Sequence, residues 1–125
     1  INDAYNSNPV GFASALESLD ALVKKGGRRI LVTPGMVELG EKHAEEHEHL
    51  GRLAAKHCDI VLVVTPDRIP TFLTGLQAAS TGNVTIMTFA KQEDAEAWVK
   101  ANWQKNDVVL FENNLPDLYE ATFRF

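Results

Sequence analysis

The sequence is poor in the residues that mark several protein classes. A single cysteine, Cys58, stands among 125 residues, which excludes an internal disulfide framework and a cysteine-cage zinc site and fits a reducing compartment. Basic residues are outnumbered, with 12 Lys plus Arg against 17 Asp plus Glu and a formal charge of -5. A non-specific nucleic-acid binder needs the opposite, a basic surface that displaces counterions from phosphates. No apolar run approaches the ~20 residues that span a bilayer, so no membrane insertion is expected. Nothing resembling a secretory signal opens the sequence. It opens instead on Ile1, inside what reads as a strand, so a piece cut from a longer polypeptide is expected.

What is present suits one soluble domain. At 45% hydrophobic and 23% charged the chain can bury a core, and its length falls just under a typical domain of ~150 residues. Short apolar runs bounded by turn residues predict strands over 29–33 (RILVT), 59–65 (DIVLVVT), 84–89 (VTIMTF) and 107–111 (DVVLF). Their continuous apolar character suits parallel strands covered on both faces. Residues 1–4 read as the end of another strand. The aromatic residues Tyr119, Phe123 and Phe125 at odd positions suggest a last edge strand over 118–125, antiparallel to the rest.

Helical periods lie between these runs. Asn8 can cap a helix whose first position is Pro9, with Val10, Ala13, Leu16, Leu19 and Val23 as its apolar stripe and Gly26-Gly27 as its stop. A second helix is predicted over 41–57, with Leu50, Leu53 and Ala54 inward. A third begins near Asp67, with Pro70 inside its first turn or delaying its start. A fourth covers 92–102 and buries Ala95, Trp98 and Val99, leaving Trp103 at the rim. Strand–helix alternation of this kind predicts an α/β fold: a Rossmann-like three-layer sandwich with a mostly parallel sheet of five to six strands. Residues 1–125 read as a single domain.

Ligands of such sheets bind beyond the carboxyl ends of the strands. Three polar loops are expected there: 3–9 (DAYNSNP), 33–40 (TPGMVELG) and 112–117 (ENNLPD). Each alone also reads as a capped turn, since Asp, Asn, Ser, Gly and Pro are the common turn residues. Three at one sheet edge favour a binding edge.

Two of these loops carry a family resemblance. DAYNSNP at 3–9 and GMVELG at 35–40, one helix and one strand apart, resemble the C-terminal domain of the Mur ligases, most of all the members that add D-alanyl-D-alanine to a UDP-muramoyl peptide. His47 and Gly51 reproduce a His four residues before a Gly in the helix that follows. The likeness is good from residue 1 to about 57 and fades to general α/β pattern beyond. It implies the last of three domains in a bacterial, cytoplasmic, ATP-dependent and ADP-forming amide ligase of peptidoglycan-precursor synthesis. Such an enzyme works through an acyl phosphate, with Mg2+ on the phosphates. The implied partners are the N-terminal and central domains of the same chain, a UDP-sugar peptide, and an amino acid or dipeptide. By resemblance Asp3, Tyr5 and Asn6 lie on the nucleotide side, while Ser7, Asn8, Glu38 and Asn113 face substrate. No catalytic residue is named.

Two departures stand out. The family's GDM is here Pro34-Gly35-Met36, and a late basic, glycine-bearing loop is here Glu112-Asn113-Asn114, which leaves the amine substrate open. No phosphate-binding G-x-x-x-x-G-K-[ST] occurs in the 125 residues, so the isolated chain is expected to be inactive. The rival reading is a free-standing small-molecule-binding or regulatory α/β domain, or a purely architectural one. His43 and His47 match H-x-x-E-H, but a helix rich in Glu, Lys and His produces that spacing readily, and a solvated helix face with His47 packing near the ELG loop at 38–40 is the expectation. Cys58 reads as a small core residue rather than a nucleophile.

Overall fold

The structure, a computed structural model, describes residues 9–34, 43–80 and 82–111. Four strands and four helices alternate along them: α1 (Pro9–Leu22), β1 (Arg29–Thr33), α2 (His43–His57), β2 (Ile60–Val64), α3 (Pro70–Ala79), β3 (Thr85–Phe89), α4 (Gln92–Asn102) and β4 (Val108–Phe111), with a 3-10 turn at Pro66–Arg68 before α3. All strand pairs are parallel, in the order β3-β2-β1-β4. The sheet thus holds four described strands, fewer than the five to six expected. The further candidates at 1–4 and 118–125 lie outside the described residues.

Both faces of the sheet are covered. Leu31, Val61, Val63 and Leu110 point to one side, where Phe12 and Leu16 of α1, Leu50 of α2 and Phe72 and Leu76 of α3 close over them. The residues between them in sequence, Ile30, Val32, Leu62, Val109 and Phe111, point to the other side and meet Ala95 and Val99 of α4. Strand periodicity of two, applied to unbroken apolar runs, produces these two cores. The result is the expected three-layer sandwich.

Details of the helices depart from expectation. The buried face of α1 is Phe12, Ala15, Leu16 and Leu19, with Ala13 only half-buried. The helix stops at Leu22, so Val23 lies beyond it. α1 packs on both α2 and β4, and a helix wedged between two neighbours buries a wider, rotated face than a single stripe. Trp98 is half-buried against the second core rather than enclosed by it. Pro70 takes the first position of α3, and the residues from Pro66 become the separate 3-10 turn. Proline supplies a fixed φ and lacks an N–H that would be orphaned there anyway.

α2 and α3 meet backbone to backbone. A Cβ on Gly51 would lie 2.1 Å from the Phe72 carbonyl oxygen, and one on Gly75 would lie 2.1 Å from that of Glu48. Only glycine allows this approach, which gives the His47–Gly51 spacing a packing reason. His47 itself is fully buried.

The starts of the strands are tied by charge. Arg28 and Arg29 open the central strand, and each grips the aspartate preceding one neighbour. Arg28 donates from its backbone N–H to Asp107 Oδ1 at 2.8 Å and from Nη2 to Oδ2 at 2.6 Å. The Gln104 N–H adds a bond to the same carboxylate at 3.0 Å. Arg29 donates from its N–H to Asp59 Oδ2 at 2.8 Å, and from Nε and Nη2 to the two oxygens at 3.1 Å. Arg29 Nη1 also reaches Asp20, whose other oxygen accepts from His57 Nδ1 at 2.6 Å. Each arginine therefore fixes the register of one flanking strand.

Candidate functional site

The strand order locates the crevice. From β1 the chain steps outward to β2 and β3, then returns to place β4 on the opposite side of β1. The order reverses between β1 and β4, and open α/β sheets bind ligands outside the carboxyl ends of the strands at such a point. There β1 ends at Thr33 and β4 at Phe111, with Val32 and Phe111 in register. Adjacent strands run about 4.8 Å apart, so the segments leaving them start side by side.

The expected site residues Asp3, Tyr5, Asn6, Ser7, Asn8, Glu38 and Asn113 all lie outside the described residues. The structure fixes the points at which their segments join the fold. Residues 112–117 follow Phe111, and residues 35–40 follow Pro34. Residues 3–8 precede α1, which is joined to β1 by a short turn and so runs back along the sheet. Its N-terminus lies at the carboxyl edge.

Helix ends at this edge differ in charge. α2 carries Glu45 and Glu46 in its first turn and α4 carries Glu93 and Asp94. Those carboxylates offset the positive end of the helix macrodipole. The first turns of α1 and α3 hold no acidic residue, although Asp67 lies in the turn just before α3. Of the two, α1 follows a loop flagged by the sequence.

Beyond β2 the chain turns sharply. Thr65 sits in the left-handed region at φ 52, costly for a β-branched residue. Its N–H donates to the Phe89 carbonyl at 2.8 Å and its hydroxyl to the Ala90 carbonyl at 3.4 Å. Gln92, in the first turn of α4, has a buried Nε2 without a hydrogen-bond partner. Sequence reasoning passed over both, since neither a strained φ nor an unpaired amide leaves a periodic mark.

Other sequence signals resolve structurally. Burial pushes the Cys58 thiol up, which keeps it protonated and unreactive. His47 is enclosed within the α2 face that packs on the core rather than presented to solvent. Among the described residues no group of three or more His, Cys, Asp or Glu is placed to hold a metal ion. No described helix is long and apolar enough to cross a membrane.

Comparison with known proteins agrees with this geometry. The family model "Mur ligase, glutamate ligase domain" matches residues 1–112. The UDP-N-acetylmuramoyl-tripeptide–D-alanyl-D-alanine ligase of Bacillus subtilis (strain 168) is 29% identical over 120 residues, covering 89% of this chain and 24% of that protein. Among solved structures, the MurF ligase from Thermotoga maritima in complex with ADP matches with a TM-score of 0.65 and 28% identity, covering 88% of this chain and 23% of that one. The chain thus spans about a quarter of the length of these relatives. A match running from residue 1 through the end of β4 and a shared fold leave one conclusion, that this chain belongs to the Mur ligase family as its C-terminal, glutamate ligase domain.

Proposed function

We propose that this domain closes the active site of a longer, ATP-dependent amide ligase that makes a peptidoglycan precursor from a UDP-muramoyl peptide and an amino acid or dipeptide. The observation that carries the reading is the family match over residues 1–112 on a sheet whose switch point receives two of the three flagged loops. A MurF relative in complex with ADP supports nucleotide at such a site. The 125 residues hold no phosphate-binding loop; in this reading the central domain of the longer chain holds the ATP phosphates with Mg2+, the N-terminal domain holds the UDP-sugar, and the isolated piece turns over no ATP.

In this reading a substrate carboxylate oxygen attacks the γ-phosphorus and ADP leaves. The amine nitrogen then attacks the acyl carbon, and inorganic phosphate departs with the acyl–oxygen bond's electrons. Asp3 approaches the ribose, and Tyr5 and Asn6 line the nucleotide side. Ser7, Asn8, Glu38 and Asn113 face the amine substrate. The first turn of α1 carries no acidic residue, so the positive end of its macrodipole favours negative charge near that helix start. Gly35 in place of the aspartate of the family's GDM removes an acidic side chain, and the late loop is acidic and amide at 112–114, so an amine other than D-alanyl-D-alanine fits this reading as readily as that dipeptide.

The full-length enzyme tests the division of labour. Asp3→Ala raises the KM for ATP and leaves the amine KM near its original value, whereas Glu38→Ala does the reverse. Steady-state release of ADP with each substrate varied in turn reads both; an Asp3→Ala enzyme with unchanged ATP dependence removes Asp3 from the site.

A further inference from the structure

The loops at the amino edge of the sheet enclose a cavity that plays no part in the ligase reading. α1 ends at Leu22 and α4 at Asn102, and the strands they lead into, β1 and β4, are neighbours. The two connecting segments are tied to each other. Asn106, at φ 75, donates from Nδ2 to the Lys25 carbonyl at 3.2 Å, and its own carbonyl oxygen would lie 1.9 Å from a Cβ on Gly27. Arg28 Nη2 donates to the Asn102 carbonyl at 2.7 Å. Beside these ties lies a cavity of about 470 Å³, whose lining combines the apolar Leu22, Trp103 and Val108 with the polar Lys24, Lys105 and Asn106.

Charge in the lining is one-sided. Asp107 also borders the cavity, but its side chain is fully buried and its carboxylate accepts from Arg28 and Gln104, so Arg28 balances its charge. Lys24 and Lys105 are exposed and pair with no carboxylate among the described residues. The negative ends of two helices lie at this edge, each equivalent to about half a charge. Lys100 in the last turn of α4 already meets one of them, and the half charge of α1 does not consume two ammonium groups. In a chain of net charge -5 the cavity is a local reversal of sign. Its apolar side is open as well. Leu22 is 51% exposed, the one large hydrophobic side chain so exposed among the described residues, and Trp103 is half-buried.

We propose that this cavity binds a small anion built on a flat ring, a carboxylate or phosphate carried by an aromatic group, with the ring on Leu22 and Trp103 and the anion held by the Lys24 and Lys105 ammonium groups. An indole face and an aliphatic side chain suit a planar apolar body, and charge-assisted hydrogen bonds from two lysines suit a carboxylate or phosphate. The volume falls within the ~300–1,000 Å³ of small-molecule sites. Because the loops are already tied to each other, little ordering remains to be done on binding. The cavity lies at the opposite end of the sheet from the β1–β4 crevice, and its assignment does not rest on the ligase reading.

Naphthalene-2-carboxylate and phenyl phosphate test the site without reference to activity. Each is titrated into the full-length protein to about 5 mM, the range in which ligands of so few atoms bind. The readout is the Trp103 indole N–H resonance, assigned by its disappearance in Trp103→Phe. A saturable shift is expected with at least one of them, and the tighter binder assigns the anionic group. Lys24→Gln combined with Lys105→Gln weakens that binding by about tenfold or more. Leu22→Gln, which keeps the helix end and removes its apolar contact, also weakens it, and this exposed position lies outside both cores, so the fold survives the change. No saturable shift with either ligand overturns the proposal, as does an unchanged Kd in both variants. Equal affinity for the uncharged 2-naphthalenemethanol overturns the role of the lysines, and inorganic phosphate binding as tightly as phenyl phosphate overturns that of the ring.

Discussion

At the amino edge of the sheet three of the four described strands, β1, β2 and β4, are opened by Arg28 and Arg29, Asp59 and Asp107, every one charged and every one paired, while β3 opens on the uncharged Thr85. At the carboxyl edge they end in Thr33, Val64, Phe89 and Phe111, none of them charged. The first edge fixes strand register through groups that satisfy one another. The second leaves its polar chemistry to the segments that follow the strands. A single sheet thus separates holding its strands together from meeting a ligand, and the two tasks can be perturbed independently.

The strongest blow to the amino edge is Asp107→Ala. The Asp107 side chain is fully buried, and its removal takes the acceptor from the Arg28 and Gln104 amides, while the 27% exposed Arg28 guanidinium keeps only its bond to the Asn102 carbonyl. A loss of about 3 kcal/mol is expected, read from denaturant midpoints. Asp59→Ala loses less, since its carboxylate is 38% exposed and solvent replaces part of what is removed.

Gly51→Ala separates charge from packing. The new Cβ would press on the Phe72 carbonyl and cost about 2 kcal/mol. Unlike Asp107→Ala, it leaves the acid dependence of stability unaltered. If the two variants respond alike to pH, the amino-edge charges do not set that dependence.

Acid supplies the third test. Burial acts to raise the Asp107 carboxyl, yet hydrogen bonds from Arg28 and Gln104 outweigh it and hold it below the ordinary 3.8. Asp20 follows the same pattern, with burial outweighed by His57 and Arg29. Asp59 is lowered chiefly by the Arg29 side chain. All three release their protons more readily in the folded state than in the unfolded one. The stability they contribute is complete above their ordinary value and is lost as pH falls through the depressed folded values. Unfolding midpoints should therefore hold steady from neutrality to about pH 5 and drop below 4, with a shallower drop in Asp107→Asn.

The smallest effect belongs to the carboxyl edge. Thr65→Gly relieves a positive φ at a β-branched residue and stabilises by about 1 kcal/mol. A loss of stability instead would mean that the Thr65 hydroxyl bond to Ala90 outweighs the backbone cost.

The layers of the fold were legible because unbroken apolar runs and 3.6-residue periods are local signals. The strands over 29–33 and 107–111 differ from the structure by at most one residue, and the helix over 92–102 agrees throughout. Phe12 was missed because the buried face of α1 is set jointly by α2 and β4, which are remote in sequence. The arginine clamps were missed for the same reason: Arg29 and Asp59 are 30 residues apart and Arg28 and Asp107 are 79. Asp59 and Asp107 were read as strand residues, although an aspartate ahead of each apolar run and a doubled arginine ahead of another were in view. The binding residues were legible only through family likeness, because turn chemistry and ligand chemistry draw on the same Asp, Asn and Ser.

The unequal spans of the two clamps also order the assembly of the sheet in time. Closing the shorter loop costs less entropy, and β1, α2 and β2 can pair once residue 64 has been made. The guanidinium of Arg28 must wait for a carboxylate 79 residues further on. During synthesis the central strand is therefore finished on one flank long before the other, and the late arrival of β4 is the slow, long-range contact on which completion of the sheet depends.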